Sequence, residues 1–295
     1  MSYKVITEMV VDFKKVKEYF DHLDEKCLSG RLSFSLQTIG QVHVGSGYPE
    51  IGTSAKLKKN ILFYSNVSIN KKVTIPGSSI KGSLRTYMEC LSPKVSTDNN
   101  GEISVGHKDT ECFFPLIDDI FGSAFRQRSR MSNISVDDFV PNSEEFKLCT
   151  VLVYPSFEPK SKDGIKVYFE DPADLPRQVE GEKFYIRAIP AQSIFTGSLY
   201  FKDFYSFELG LLFKALRLKG FRIGGKKEQG FGKVMFSDFS LTAFDKTTLS
   251  STKLNNTEFD DFWKTKEYAY VSFLDSVGLK NDFDIISQVL NEGQE

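Results

Sequence analysis

The sequence predicts an α+β fold. Apolar residues recur at helical spacing in some segments and alternate with polar ones in others. The two kinds of segment follow each other without the regular rhythm of a doubly wound sheet, and no repeat of 20 to 50 residues is visible. With 295 residues, 40% of them hydrophobic and 14% aromatic, the chain can bury a core of ordinary size. It fits one large domain or two small ones.

Val11–Lys26 places Phe13, Val16, Tyr19, Phe20 and Leu23 at helical spacing, so an amphipathic N-terminal helix is expected. Arg31–Thr38 alternates Leu32, Phe34 and Leu36 with polar residues, the pattern of a half-buried strand. Glycines cluster from His43 to Gly52, and Lys71–Ile75 reads as a short strand ended by Pro76-Gly77. Ser78–Leu91 carries Ile80, Leu84, Tyr87, Met88 and Leu91 on one helical face, with Gly77-Ser78-Ser79 as its N-cap chemistry. A polar excursion follows over Ser92–Thr110.

Met131–Asp137, Lys147–Tyr154, Lys183–Ile189 and Ser193–Phe201 read as strands. Ser206–Lys219 is a helix with Leu209, Leu212, Phe213 and Leu216 inward and Gly220 as C-cap, and Lys233–Leu241 is a closing strand. From Ala243 the chain is polar, then helical around Phe259–Val277 and Phe283–Leu290. The organisation expected is an N-terminal helical extension over 1–30, a core over 31–242 with an insertion around 92–119, and a C-terminal helical tail over 243–295.

A formal net charge of −1 argues at first against a nucleic-acid binder. Counting by segment changes the picture. Ile51–Arg85 holds seven cations (Lys56, Lys58, Lys59, Lys71, Lys72, Lys81, Arg85) and no acid, whereas Lys214–Lys233 carries a local +6. Brought together by the fold, the two blocks make a face suited to phosphates; otherwise they solvate exposed loops. Four cysteines (Cys27, Cys90, Cys112, Cys149) do not make a disulfide scaffold. No apolar run reaches the roughly 18 residues of a membrane helix, and Glu8 interrupts any secretory signal. A cytoplasmic location is expected.

Three segments carry binding chemistry. In Ile75–Arg85 (IPGSSIKGSLR) a helix N-terminus meets Ser78, Ser79, Lys81 and Arg85, the last two sharing a face one turn apart. Lys81 precedes Gly82, which excludes a P-loop, where the lysine follows the second glycine. In Arg222–Lys233 (RIGGKKEQGFGK), Gly224 and Gly225 allow close backbone approach beside Lys226 and Lys227. Its spacing is not a dinucleotide-binding fingerprint. Arg126, Arg128 and Arg130 precede a strand in Phe121–Asp138 and serve either binding or solubility.

Catalytic patterns are sparse. His22, His43 and His107 are scattered, and His43 reads as structural. Cys90, His107 and Cys112 flank the excursion at spacings that match no standard zinc site. Asp98, Asp109, Asp118 and Asp119 are candidate acids for a metal-dependent hydrolase, or surface acids.

The order HVGSG (43–47), IPGSSIKGSLR (75–85), FGSAFRQRSRMSNISVDD (121–138) and GGKKEQGFGKV (224–234) resembles the RAMP superfamily, through roughly residues 31–242. It is similar to the RAMP subunits of type III (Csm- and Cmr-type) CRISPR–Cas effector complexes and their Csx-type relatives. The resemblance implies a modified ferredoxin-like (RRM-like) core with an inserted β-hairpin thumb. It implies crRNA and paired target RNA as partners, with other effector subunits, including like RAMP subunits, and no membrane. By position, guide contacts fall to Ser78, Ser79, Lys81, Arg85 and Gly224–Lys227. Cleaving members carry an aspartate between the H-x-G element and the I-P-G-S-S strand. Ile51–Lys72 has no Asp or Glu. The expectation is therefore a non-cleaving, cofactor-free scaffold subunit; the alternative is a metal-dependent endoribonuclease cutting target RNA with Mg²⁺. The N-terminal helix and helical tail, outside the shared core, are expected to meet neighbouring subunits.

Overall fold

The computed structural model describes all residues except 1–2, 7, 13–14, 17, 20–22, 24–27, 55–58, 70–71, 97–111, 114, 126–127, 144–146, 155–164, 169–182 and 292–295. Its main elements in chain order begin with β1 (Leu28–Thr38), β2 (Gly45–Ser54), β3 (Lys59–Asn66), α1 (Gly77–Leu91) and α2 (Pro115–Phe121). Then come β4 (Ile134–Val136), β5 (Cys149–Val153), β6 (Phe184–Ala188), β7 (Ile194–Phe204) and α3 (Ser206–Leu216). The chain closes with β8 (Val234–Asp245), β9 (Ser250–Leu254), α4 (Asn256–Ser276) and α5 (Lys280–Asn291).

The central sheet has the order β4-β7-β1-β8-β9, every pair antiparallel. Register explains its two faces. Leu32 lies opposite both Leu199 and Leu241, and Leu36 opposite Phe195 and Phe236, so one face is a continuous apolar layer. The other carries Ser33, Ser198, Ser240 and Thr242, with Arg31 donating to Ser198 Oγ from Nε at 3.0 Å and from Nη2 at 2.9 Å. The alternation in Arg31–Thr38 is this division.

A second sheet runs β5-β6-β3-β2, with β6 and β3 parallel and the outer pairs antiparallel. Its β2–β3 pair lies between β1 and α1, in a stretch for which the sequence pattern carries no strand expectation. Gly and Pro in GSGYPEIGTS suggest turns locally; pairing with β3 holds it extended.

Other expectations need correction. Val10–Asp12 is a strand, paired in parallel with Lys94–Ser96, rather than the start of a helix. Lys15, Val16, Glu18 and Tyr19 are helical, and most of the rest of Val11–Lys26 lies outside the described residues. α3 stops at Leu216 with Arg217 as C-cap, whose N–H bonds the Phe213 and Lys214 carbonyls. Gly220 instead offers its carbonyl to the Tyr87 hydroxyl at 2.8 Å. β8 continues to Asp245 and hairpins into β9, where only a polar connection was expected.

The two C-terminal helices are part of this chain's own core. α4 buries Phe259, Trp263, Tyr270, Phe273 and Leu274, and the Trp263 ring stacks on Phe213 at 5.3 Å. A Cβ at Gly210 of α3 would stand 2.1 Å from the Lys266 carbonyl oxygen, so glycine permits the close approach of α3 and α4. Those buried side chains pack within this chain's own core. No helix among the described residues is long and apolar enough to cross a membrane.

Candidate nucleic-acid interface

The glycine-rich loop of the second basic block packs against α1, which closes the first. Tyr87 of α1 stacks on Phe221 at 4.6 Å and accepts the Arg222 N–H at 3.0 Å, which ties the helix to the segment entering the glycine-rich loop. One turn before Tyr87, Ser83 Oγ accepts a hydrogen bond from Lys227 Nζ at 3.3 Å. Gly224 adopts φ +73°, and a Cβ there would lie 2.3 Å from the His43 carbonyl oxygen. Gly225 N–H donates to that same oxygen at 2.9 Å. Glycine is thus required for the loop to lie against the His43 backbone.

Lys226 takes a left-handed conformation, φ 59°, and its Nζ donates to the Tyr154 carbonyl at 2.9 Å while sitting 4.8 Å over the Phe184 ring. Gln229 reaches the same Tyr154 carbonyl at 2.8 Å, and Arg222 Nη1 donates to the Phe231 carbonyl at 2.9 Å. The loop is fixed from three sides, so its cations are preorganised. Burial, with Arg222 adding repulsion, lowers the Lys227 ammonium to about 8. Lys226 is also lowered by burial, offset in part by Glu228. His43 is buried, its Nδ1 2.7 Å from the Arg187 carbonyl, in keeping with its structural reading; burial depresses its pKa.

The N-cap of α1 is Pro76, with no side-chain cap, so Ser78 and Ser79 do not cap it as expected. The Gly77 N–H donates to Asp138 Oδ1 at 2.8 Å, so a carboxylate already occupies the first donor of this helix. Ser78 is exposed and Ser79 half-buried in the first turn. Lys81 Nζ donates to Ser132 Oγ and to the Ile134 carbonyl, each at 2.8 Å, and burial followed by Arg85 repulsion lowers its pKa. Arg85 Nε meets Glu89 at 3.0 Å, Nη2 lies 3.6 Å from Asp118, and Nη1 donates to the Gly122 carbonyl at 3.3 Å. Lys81 and Arg85 share a face as expected, and they clamp α1 to the 118–134 segment.

Charge counting overstates the second block for a related reason. Lys214 pairs with Glu267 at 2.7 Å, and Arg217 pairs with Asp260 while lying 3.5 Å over the Trp263 ring. Both acids belong to α4. Arg222 and Lys233 are buried. Sequence reading missed Ser83, Tyr87 and the His43 carbonyl. The first two lie on α1 and were legible only as helix positions, whereas a backbone oxygen carries no sequence signal.

Arg126 and Asp98, Asp109 and His107 lie outside the described residues, as do Lys56, Lys58 and Lys71. Arg128 lies in a short strand, Arg128–Arg130, antiparallel to Ser123–Phe125, and Arg130 pairs with Asp119. Cys112 is in the strand Cys112–Phe113, and Cys90 is buried in α1 with its thiol pKa pushed up. No group of three or more His, Cys, Asp or Glu placed to hold a metal occurs among the described residues. Asp118 sits beside Arg85, yet burial outweighs that guanidinium and raises its carboxyl to about 7.

Residues 35–235, about two thirds of the chain, match the family described as the RAMP superfamily. The chain belongs to the RAMP superfamily. RAMP proteins are generally CRISPR-associated RNA-binding proteins, with domains related to the ferredoxin-like fold. The matched span opens inside β1 and ends at the start of β8, and so includes α1, the glycine-rich loop and the second sheet. None of the curated proteins matches the chain in sequence.

Proposed function

We propose that this RAMP protein is a guide-RNA-binding scaffold subunit of a type III CRISPR effector ribonucleoprotein. The observation that carries the proposal is the Lys227–Ser83 contact, which joins the glycine-rich loop of the second basic block to α1 at the end of the first. Phosphates held there set register without reading sequence, because cations and backbone donors contact the strand and not the base edges. Ser78, Ser79, Lys226 and Lys227 are the groups proposed to face the guide backbone, with Gly224 and Gly225 allowing its approach. Lys81 and Arg85 act mainly by holding α1 in place.

In this proposal β1, α1, β4, β7, α3 and β8 form the ferredoxin-like core, since their sheet order and the two crossover helices follow that pattern. The antiparallel pair β5–β6, between β4 and β7, is the base of the inserted hairpin. Other effector subunits and a paired target RNA complete the assembly.

Binding of guide RNA across a salt series tests the proposal. Affinity is expected to fall steeply with salt, each phosphate contact on a single strand contributing about −0.7 to the log–log slope. A salt-independent affinity, or absence of RNA from the natively purified complex, would overturn it. Labelled complementary RNA with Mg²⁺ separates the scaffold from a nuclease: uncut target is expected, and regular cuts lost on Asp118→Asn would assign cleavage to this chain.

A further inference from the structure

The second sheet has one face that the glycine-rich loop covers only in part. Register places Val153 opposite Phe184 and Val151 opposite Ile186, and Phe231 of the loop packs over Val153, Ile186 and Ala188. The parallel pairing of Ile186 with Tyr64 carries this face onto β3, where the Tyr64 and Phe184 rings meet edge to face at 5.5 Å. It then continues through Leu62, which lies opposite Ile51 of β2. This far half is open: Ile51 is 76% exposed, Leu62 54% and Tyr64 36%. A cross-strand apolar pair beside a tyrosine, all facing solvent, is not what stabilises a lone sheet.

Charge says what covers it. Lys226, held over Phe184, stands at the border between the covered and open halves, and Lys227 follows it in the same loop. The four strands carry one acid, Glu50, which lies opposite Phe63 and so points to the other face. Aromatic and aliphatic surface bordered by the Lys226–Lys227 loop, with no acid of the four strands on this face, suits unpaired bases whose phosphates run along those cations.

We infer that the open half of this face, Ile51, Leu62 and Tyr64 together with Phe184, is a stacking platform for bases of single-stranded RNA leaving the Lys226–Lys227 loop. The inference deepens the proposed function and rests on it. Tyr64 supplies the ring on which a base lies flat; Leu62 and Ile51 extend the apolar surface to the next base. A duplex, whose bases are already stacked, gains nothing there.

Binding of a short single-stranded oligoadenylate and of a blunt RNA duplex of equal length tests it, on the full chain. Tyr64→Ala is expected to weaken oligoadenylate binding about tenfold, as loss of one stacked base does, and to leave duplex binding unchanged. Tyr64→Phe is expected to restore it, and Leu62→Ser, also at the surface, to weaken it without lowering the melting temperature. Unchanged oligoadenylate affinity in Tyr64→Ala overturns the platform while leaving the RNA-binding proposal standing. A wild-type chain that binds neither probe overturns both. Self-association abolished by Ile51→Ser would overturn the platform in favour of a second copy of this chain on the same face.

Discussion

Lys227 Nζ and Ser83 Oγ, 144 residues apart in sequence, lie 3.3 Å apart and close the gap between the glycine-rich loop and α1. The lysine is held where desolvation and the Arg222 guanidinium both resist its charge. A bound phosphate would reverse that balance, since an anion nearby favours the ammonium.

An unfolded lysine keeps its proton to about 10.5, whereas folded Lys227 releases it near 8. The native state is therefore penalised in full below 8 and gains stability as pH rises from about 8 to 10.5. RNA binding runs the other way, strongest where the ammonium is charged. Lys227→Met is expected to remove both dependences: a flatter profile of melting temperature between pH 7 and 10, and no loss of RNA affinity centred near 8. Retention of the affinity step in Lys227→Met would assign it elsewhere.

Gly224→Ala places a methyl against the His43 carbonyl and strains a backbone at φ +73°. We expect a loss of about 1–3 kcal/mol in chemical denaturation, with weaker RNA binding. Gly230→Ala is the control, because its φ is +85° but its Cβ would meet open space. Its cost should be confined to about 1–2 kcal/mol of left-handed strain, with the loop still seated on His43. Equal effects of the two on RNA affinity would count against the loop's contact with His43.

Asp118 titrates the other way. Its carboxyl loses the proton at 3.8 when unfolded and near 7 when folded, so the native state loses stability as pH rises through that window. Burial drives the shift; Arg85 and Arg130 oppose it and Glu89 reinforces it. Asp118→Asn, which resembles the protonated form, should be more stable than wild type at pH 8 and nearly equal at pH 4. Urea midpoints at the two values check the sign.

Gly210→Ala drives a methyl into the Lys266 carbonyl and forces α4 from α3. Overpacking of this kind costs about 1–3 kcal/mol. The near-ultraviolet signal of Trp263, buried in the same interface, should change with it. An unaltered Trp263 environment would show that the two helices accommodate the methyl by a small shift.

Legibility in the sequence followed the range of the interactions. α1, α3, α4 and α5 and the strands β1, β4, β7 and β8 of the central sheet were readable because 3.6- and 2-residue periods are written locally, whereas the polar β9 was not. β2 was hidden, since its glycines and proline speak for turns and its extension depends on Leu62 and Tyr64 across the ladder. The glycine-rich loop was readable from its glycines and lysines, but the Asp138 carboxylate at the start of α1 was not, being 61 residues away.

By itself the sequence determined the family, the two basic motifs and the order of the core elements, because each is a local pattern of residue types. Which cations remain at the surface was decided only by tertiary structure. Lys214 and Arg217 turn to Glu267 and Asp260 of α4, and Arg85 turns to Glu89 and Asp118, whereas Lys226 and Lys227 are carried to the meeting of loop, helix and second sheet. The physical reason is that Coulombic pairing depends on distance in space, and a charge total counts residues without it.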